Sequence, residues 1–276
     1  MSDFLSEMAA ASRLRVKAAK ERVGEAGLLN RASALPGPKT LAHHPSGFDV
    51  IAEFKPRSPS GRTFATEASG EVRERGAAYA RGGACAVSVL TEPEVFGGSL
   101  EALAEMAVWC GLPCLRKDFL IDPYQVLEAR AFGAAGVLLI VRLLDDRLLS
   151  EMIAAASSVN LFVLLEAFDA GDLDRGTRAL SGARAAGLLG VNARDLATLA
   201  VDANRHAELA PRAPAGVPNV AESGIATPED AARVARLGYG AALVGEALMR
   251  AADPARLLAT MIAAGREAAS RREVTR

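Results

Sequence analysis

From Phe48 onward, short apolar runs alternate with longer segments whose apolar residues recur at helical spacing. The strand-length runs fall at 48–55, 84–91, 113–119, 136–142, 161–167, 186–193, 218–223 and 241–246. Helix-like segments lie at about 70–82, 99–110, 123–133, 145–158, 169–180, 202–210, 227–237 and 254–268. Nearly continuous apolar strands that alternate with helices indicate a parallel sheet covered by helices. Eight such units in roughly 250 residues match a closed α/β TIM (β/α)8 barrel. An open doubly wound sheet would normally show a glycine-rich turn after its first strand, and no G-x-G-x-x-G follows residue 55.

Local signals support the element count. Thr227-Pro228-Glu229-Asp230 supplies a cap, a first-turn proline and first-turn acids; Asp122-Pro123 and Asp253-Pro254 do the same for other helices. Ahead of the barrel, Phe4, Leu5, Met8, Leu14, Val16, Ala19 and Val23 predict an amphipathic helix over 3–23. Gly24, Gly27 and Pro36-Gly37-Pro38 then predict an irregular connector. The expected organisation is an N-terminal helical extension, 1–47, ahead of a barrel domain, 48–276.

Composition narrows the partners. The chain has 276 residues, half of them hydrophobic, enough for a full core, and its net charge of −1 gives no global field for nucleic acid or an anionic membrane. An anionic ligand must therefore be held by local groups. No apolar run reaches the length of a membrane span or a signal peptide, so a soluble protein is expected. Cys85, Cys110 and Cys114 are odd in number, which fits reduced thiols in the cytoplasm. Cys110 and Cys114 have the spacing of half a metal site, but His43-His44 and one further histidine offer no second pair, and no metal is expected.

Polar residues collect where the strands end, the face on which this fold builds its active sites. Glu53 and Lys55 are two residues apart, so both point to the same side of the first strand; a surface ion pair would explain them equally well. Strand three ends in Arg116, Lys117 and Asp118, strand five in Glu166, strand six in Asn192 followed by Arg194 and Asp195. Ser223-Gly224 and Gly245-Glu246 follow the last two strands, where such barrels hold phosphate with backbone N–H groups. Lys55, Ser58 and Ser60 of the first loop face the same role from the other side. Lys117 paired with Glu166 is the minimum for acid–base chemistry near neutral pH.

Seven strings then carry a resemblance: AEFKPRSPSG (52–61), SVLTEPEVFGGS (88–99), LRKDFLIDPYQVLEARAFGA (115–134), LLIVRLLDD (138–146), GVNARDL (190–196), ESGI (222–225) and VGEALM (244–249). In order and over nearly the whole chain from about residue 50 to 250, they resemble the indole-3-glycerol phosphate synthase family. Placement of the 1–47 extension over the barrel mouth is implied by this resemblance alone. The resemblance implies conversion of 1-(2-carboxyphenylamino)-1-deoxyribulose 5-phosphate to indole-3-glycerol phosphate, CO2 and water, without metal or cofactor. It implies Lys117 as the acid on the developing alkoxide and Glu166 as base, with Glu53 and Lys55 sharing the dehydration. Asn192 and Glu222 would orient the substrate or keep the lysines charged. Phosphate would lie among Lys55, Ser58, Ser223, Gly224, Gly245 and the amide of Glu246. Arg194 would contact the substrate carboxylate or phosphate, and Phe96 and Phe119 would pack on the aromatic ring. Departures from the family pattern are Pro56 in place of a basic residue, Ala167-Phe168 in place of Val-His, and Ala193 in place of a second Asn.

Three alternatives remain on these residues. Phosphoribosylanthranilate isomerase would need a carboxylate/cysteine pair, yet Cys85 and Cys114 stand near strand starts, at the wrong face. A Schiff-base aldolase would use Lys117 covalently. A catalytically dead barrel would have no need of Glu53, Lys55, Lys117, Glu166, Asn192 and Glu222 together.

Overall fold

Each apolar run becomes one strand of a closed, all-parallel barrel in the order β1 to β8. The computed structural model describes residues 3–42, 47–59, 61–64, 69–196, 198–214 and 216–274. The strands are β1 (Asp49–Phe54), β2 (Ala86–Leu90), β3 (Cys114–Lys117), β4 (Gly136–Ile140), β5 (Phe162–Ala167), β6 (Gly187–Asn192), β7 (Asn219–Glu222) and β8 (Ala241–Val244). In chain order the helices are α1 (Asp3–Arg22), α2 (Glu25–Ala34), α3 (Ser69–Arg81), α4 (Leu100–Trp109), α5 (Pro123–Ala131), α6 (Asp146–Ser158), α7 (Ala170–Ser181), α8 (Asn204–Leu209), α9 (Pro228–Leu237), α10 (Glu246–Arg250) and α11 (Pro254–Val274). None of the described helices is long and apolar enough to cross a membrane.

The continuous apolar character of the strands follows from burial on both faces. Ile51, Ala86, Leu115, Leu138, Leu164, Leu188, Val220 and Leu243 fill the barrel interior. Val50, Ala52, Val87, Val137, Leu139, Val163, Leu165, Leu189, Ala221 and Ala242 pack outward into the layer under the helices. Alternation then decides where the chemistry goes. Two residues beyond the inward-facing Ile51, Leu115, Leu164 and Val220 stand Glu53, Lys117, Glu166 and Glu222, the next inward positions toward the mouth.

α1 lies against that same end. Its Leu5 and Met8 join the apolar cluster of Phe119, Ile140 and Phe168, and the Ser12 hydroxyl donates to the Phe119 carbonyl at 2.7 Å. The predicted caps form. Asp122 accepts from the Tyr124 N–H, and Thr227 and Asp230 build a reciprocal capping box.

The structure corrects several boundaries. The connector expected at 24–38 contains α2, because Leu28 and Ala32 are buried and the packing of α2 on α5 outweighs the cost of Gly27. The third strand ends at Lys117 rather than 119, since the Asp118 carboxylate takes the Phe119 N–H and turns the chain. The eighth ends at Val244, with Glu246 opening α10. The helix expected at 202–210 is shorter; a 3-10 turn, Ala210–Arg212, replaces its end at Pro211. The final helix continues past 268 to Val274.

Cys114 opens β3 and Cys85 precedes β2, as expected for strand starts, and the Cys110 and Cys114 sulfurs lie 3.5 Å apart as free thiols. His43, His44 and Ser60 lie outside the described residues.

Candidate active site

A cavity of about 560 Å³ opens at the C-terminal ends of the strands. It takes Glu53 and Lys55 from the end of β1, Lys117 from β3, Glu166 from β5, Asn192 from β6 and Glu222 from β7. Ser223, Gly224, Gly245 and Glu246 line one side, Phe96 and Phe119 another, and Arg194 the rim. Thirteen of the fourteen residues to which the resemblance gives a role thus meet at one cavity. Ser58 does not: its oxygen accepts the Arg62 N–H at 3.1 Å within the first loop, and Pro59 supplies that loop's contact to the cavity.

Lys117 is the centre of the charge pattern. Its ammonium donates to Glu166 Oε1 at 3.1 Å and Glu222 Oε2 at 3.2 Å. Asn192 Nδ2 donates to the same Glu166 oxygen at 2.7 Å, and Asn192 Oδ1 accepts the Arg194 N–H at 2.9 Å. Across the cavity Lys55 pairs with Glu53 Oε1 at 2.9 Å. The glutamates of both pairs are nearly removed from water, a costly arrangement unless a site requires it. Glycine makes room for the acids. A Cβ at Gly245 would overlap the Glu53 carboxylate, and one at Gly190 would overlap that of Glu222.

Burial and neighbours set the protonation. Desolvation pulls the Lys117 ammonium toward neutrality, but Glu166, Glu222 and Glu53 together outweigh it and hold its pKa above the ordinary lysine value. Desolvation pushes the Glu53 carboxyl upward, yet Lys55 and Lys117 leave it below the usual range. Burial drives Glu222 well above that range, reinforced by Glu166 and only partly opposed by Lys117. One Glu222 oxygen, Oε1, has no protein partner among the described residues.

The Glu222 shift carries a stability consequence with a definite sign. A carboxyl whose pKa is raised on folding contributes stability in full below the ordinary value of 4.5; that contribution declines as pH rises and is gone above the folded value. The parent is therefore expected to lose stability relative to Glu222→Gln as pH climbs from about 5, by at most about 1.4 kcal/mol per pH unit. Urea denaturation at several pH values checks it; a parent that holds or gains stability relative to Glu222→Gln as pH rises rules it out.

The backbone also departs from the ordinary here. Ser223 has φ +65°, a left-handed conformation uncommon for a residue with a side chain, directly before Gly224 at φ +68°. Two successive left-handed residues turn the chain sharply at the cavity wall, which is how strain marks functional sites.

Several lining residues were not indicated by sequence pattern. Leu90, Leu138, Ile140 and Leu243 form the apolar floor and read in sequence only as core. Leu199 and Val201 come from the irregular segment after β6, shaped by an isolated bridge between Arg194 and Val201. Phe4 arrives from α1, its ring edge-on to Phe119 at 5.8 Å, a contact across more than a hundred intervening residues and invisible to local periodicity.

Comparison with known proteins agrees with this geometry. The family model described as indole-3-glycerol phosphate synthase matches residues 5–261. The chain is 47% identical over 222 residues to an indole-3-glycerol phosphate synthase of Parafrankia sp. (strain EAN1pec), covering 80% of each chain. It is 41% identical over 236 residues to one of Mycobacterium leprae (strain Br4923), covering 85% of this chain and 84% of that one. Among solved structures, 3-hexulose-6-phosphate synthase from Salmonella typhimurium superposes with a TM-score of 0.59 at 14% identity, over 81% of this chain and 99% of that one, which shows the shared barrel alone. With strand-end residues, fold and family model in agreement over nearly its whole length, the chain belongs to the indole-3-glycerol phosphate synthase family.

Proposed function

We propose that the cavity carries out the family's decarboxylating ring closure by general acid–base catalysis, with Lys117 as the acid. The observation that carries this reading is the Lys117 ammonium suspended between Glu166 and Glu222 inside the mouth of the barrel. The aromatic carbon bearing the carboxylate attacks the ribulose carbonyl and forms the new C–C bond. Negative charge then develops on the carbonyl oxygen, and Lys117, kept protonated by its carboxylates, donates to it. Breaking the bond to the carboxylate releases CO2 and restores the aromatic ring. Loss of the new hydroxyl as water requires an acid on the oxygen and a base for the departing carbon-bound proton. Glu166 takes that proton, and the Glu53–Lys55 pair shares the step.

The remaining residues have binding roles in this reading. Asn192 fixes the Glu166 carboxylate, and Glu222 accepts from Lys117 and orients it. Phosphate rests among Lys55, Ser223, Gly224, Gly245 and the amide of Glu246, while Ser58 stands outside this cradle, engaged with Arg62. Arg194 meets the substrate carboxylate or phosphate, and Phe96 and Phe119 face the aromatic ring. The catalytic unit is the barrel of 48–276, with 1–47 as an extension over its mouth. The near-neutral charge balance favours a small phosphorylated substrate over nucleic acid, in the cytoplasm.

The direct test supplies 1-(2-carboxyphenylamino)-1-deoxyribulose 5-phosphate and follows indole fluorescence together with CO2. Equal amounts of both products are expected; fluorescence without CO2, or neither, ends the reading. Ser223→Ala is expected to raise KM about tenfold while kcat stays within about twofold, because it touches binding that is common to ground and transition states. A loss confined to kcat would move Ser223 out of the phosphate cradle.

A further inference from the structure

The geometry points to Arg15, on α1, as a positioning residue for the aromatic wall of the cavity; the assignment rests on the reading of Phe96 and Phe119 as that wall. The two rings sit on different loops, with centroids 6.2 Å apart. Each loop is organised by one buried carboxylate. Glu92 accepts the N–H groups of Glu94, Val95 and Phe96 at 3.0, 2.8 and 2.9 Å, folding the loop after β2 around itself. Asp118 accepts the Phe119 N–H at 2.8 Å and so sets the start of the loop after β3. Arg15 reaches both: its Nη2 donates to Asp118 at 2.9 Å, and its Nη1 stands 3.6 Å from Glu92. One guanidinium thereby spans the two carboxylates that place the two rings. α1 touches the same wall twice more, through Ser12 on the Phe119 carbonyl and Phe4 on the Phe119 ring.

Each loop has contacts of its own besides this bridge. Without Arg15, Asp118 keeps the Thr91 hydroxyl at 2.8 Å and Arg116 at 3.2 Å, and Glu92 keeps its three loop amides. What disappears is the tie between the Glu92 and Asp118 carboxylates, which leaves Thr91 on Asp118 to join the loops at their starts alone. The spacing and tilt of Phe96 against Phe119 then relax, and a flat ring loses its fitted slot while a phosphate held on the far side does not.

The test uses two ligands and calorimetric binding to the full chain. One is the substrate with its carbonyl reduced to an alcohol, which keeps the aromatic ring but cannot react; the other is ribulose 5-phosphate, which has no ring. Arg15→Met is expected to weaken the ring-bearing ligand about tenfold and the ringless one less than about twofold. Phe119→Leu is expected to do the same, and the double variant to lose less than the product of the two effects. Phe119→Leu with no effect on the ring-bearing ligand sinks the wall itself. Phe119→Leu effective, with Arg15→Met moving both ligands equally, neither, or in a fully multiplicative way, overturns Arg15 alone. Should Arg15→Met fail to fold, Arg15→Lys, which keeps one of the two contacts, reads the same selectivity: a smaller shift in the same direction supports the bridge, and none overturns it.

Discussion

Lys117→Met is expected to lower kcat by about 10³–10⁴-fold with a much smaller change in KM. Methionine keeps the length of the side chain and removes both the transferable proton and the positive charge. The proton is needed only as the ring-closing alkoxide forms, so the loss should fall on kcat and on kcat/KM together. Glu222, already pushed upward by burial, would then lose the ammonium that partly opposes that shift. Steady-state indole fluorescence with saturating substrate measures the loss. Turnover within about tenfold of the parent would transfer the acid role away from Lys117.

Glu166→Gln is expected to cost about 10²–10³-fold in kcat. The amide keeps the shape of the side chain, and its oxygen can still accept from Asn192 and Lys117. The positions of both neighbours therefore survive, and what is lost is the capacity to accept a proton and one of the charges that hold Lys117 ionised. Dehydration should suffer most. Pre-steady-state measurement of CO2 release against indole formation separates the steps: CO2 is expected to appear ahead of the fluorescent product in this variant. CO2 and fluorescence slowed in step would place Glu166 in ring closure instead of the later proton removal.

The barrel was legible because its strands are buried on both faces. Runs such as Gly136–Ile140 and Phe162–Ala167 have no polar alternation to confuse with a surface hairpin, and the helices between them have distinct caps. The ionisable centre was legible for a related reason: a carboxylate or ammonium two residues beyond an inward Ile51, Leu115, Leu164 or Val220 has nowhere to go but the mouth. Features that depend on distant partners were not. Gly27 read as a break until packing of Leu28 and Ala32 on α5 settled α2 as a helix. Ser58 is absent from the cavity lining, and the bond that its oxygen accepts from the Arg62 amide in the same loop cannot be read from residue type. The Arg15–Asp118 contact joins residues 103 positions apart, and no periodicity reports that distance.

Gly245 and Gly190 show a constraint that crosses from strand to strand. Each comes from the neighbour of the strand that bears the long acid it accommodates: Gly245 directly follows β8, which runs beside β1 and Glu53, and Gly190 lies on β6, beside β7 and Glu222. Acid and glycine therefore share one small volume drawn from two strands. A bulkier residue at either glycine would have to push the facing carboxylate off its present place, and with it the lysine that carboxylate holds, so a substitution there reaches the charged centre from behind.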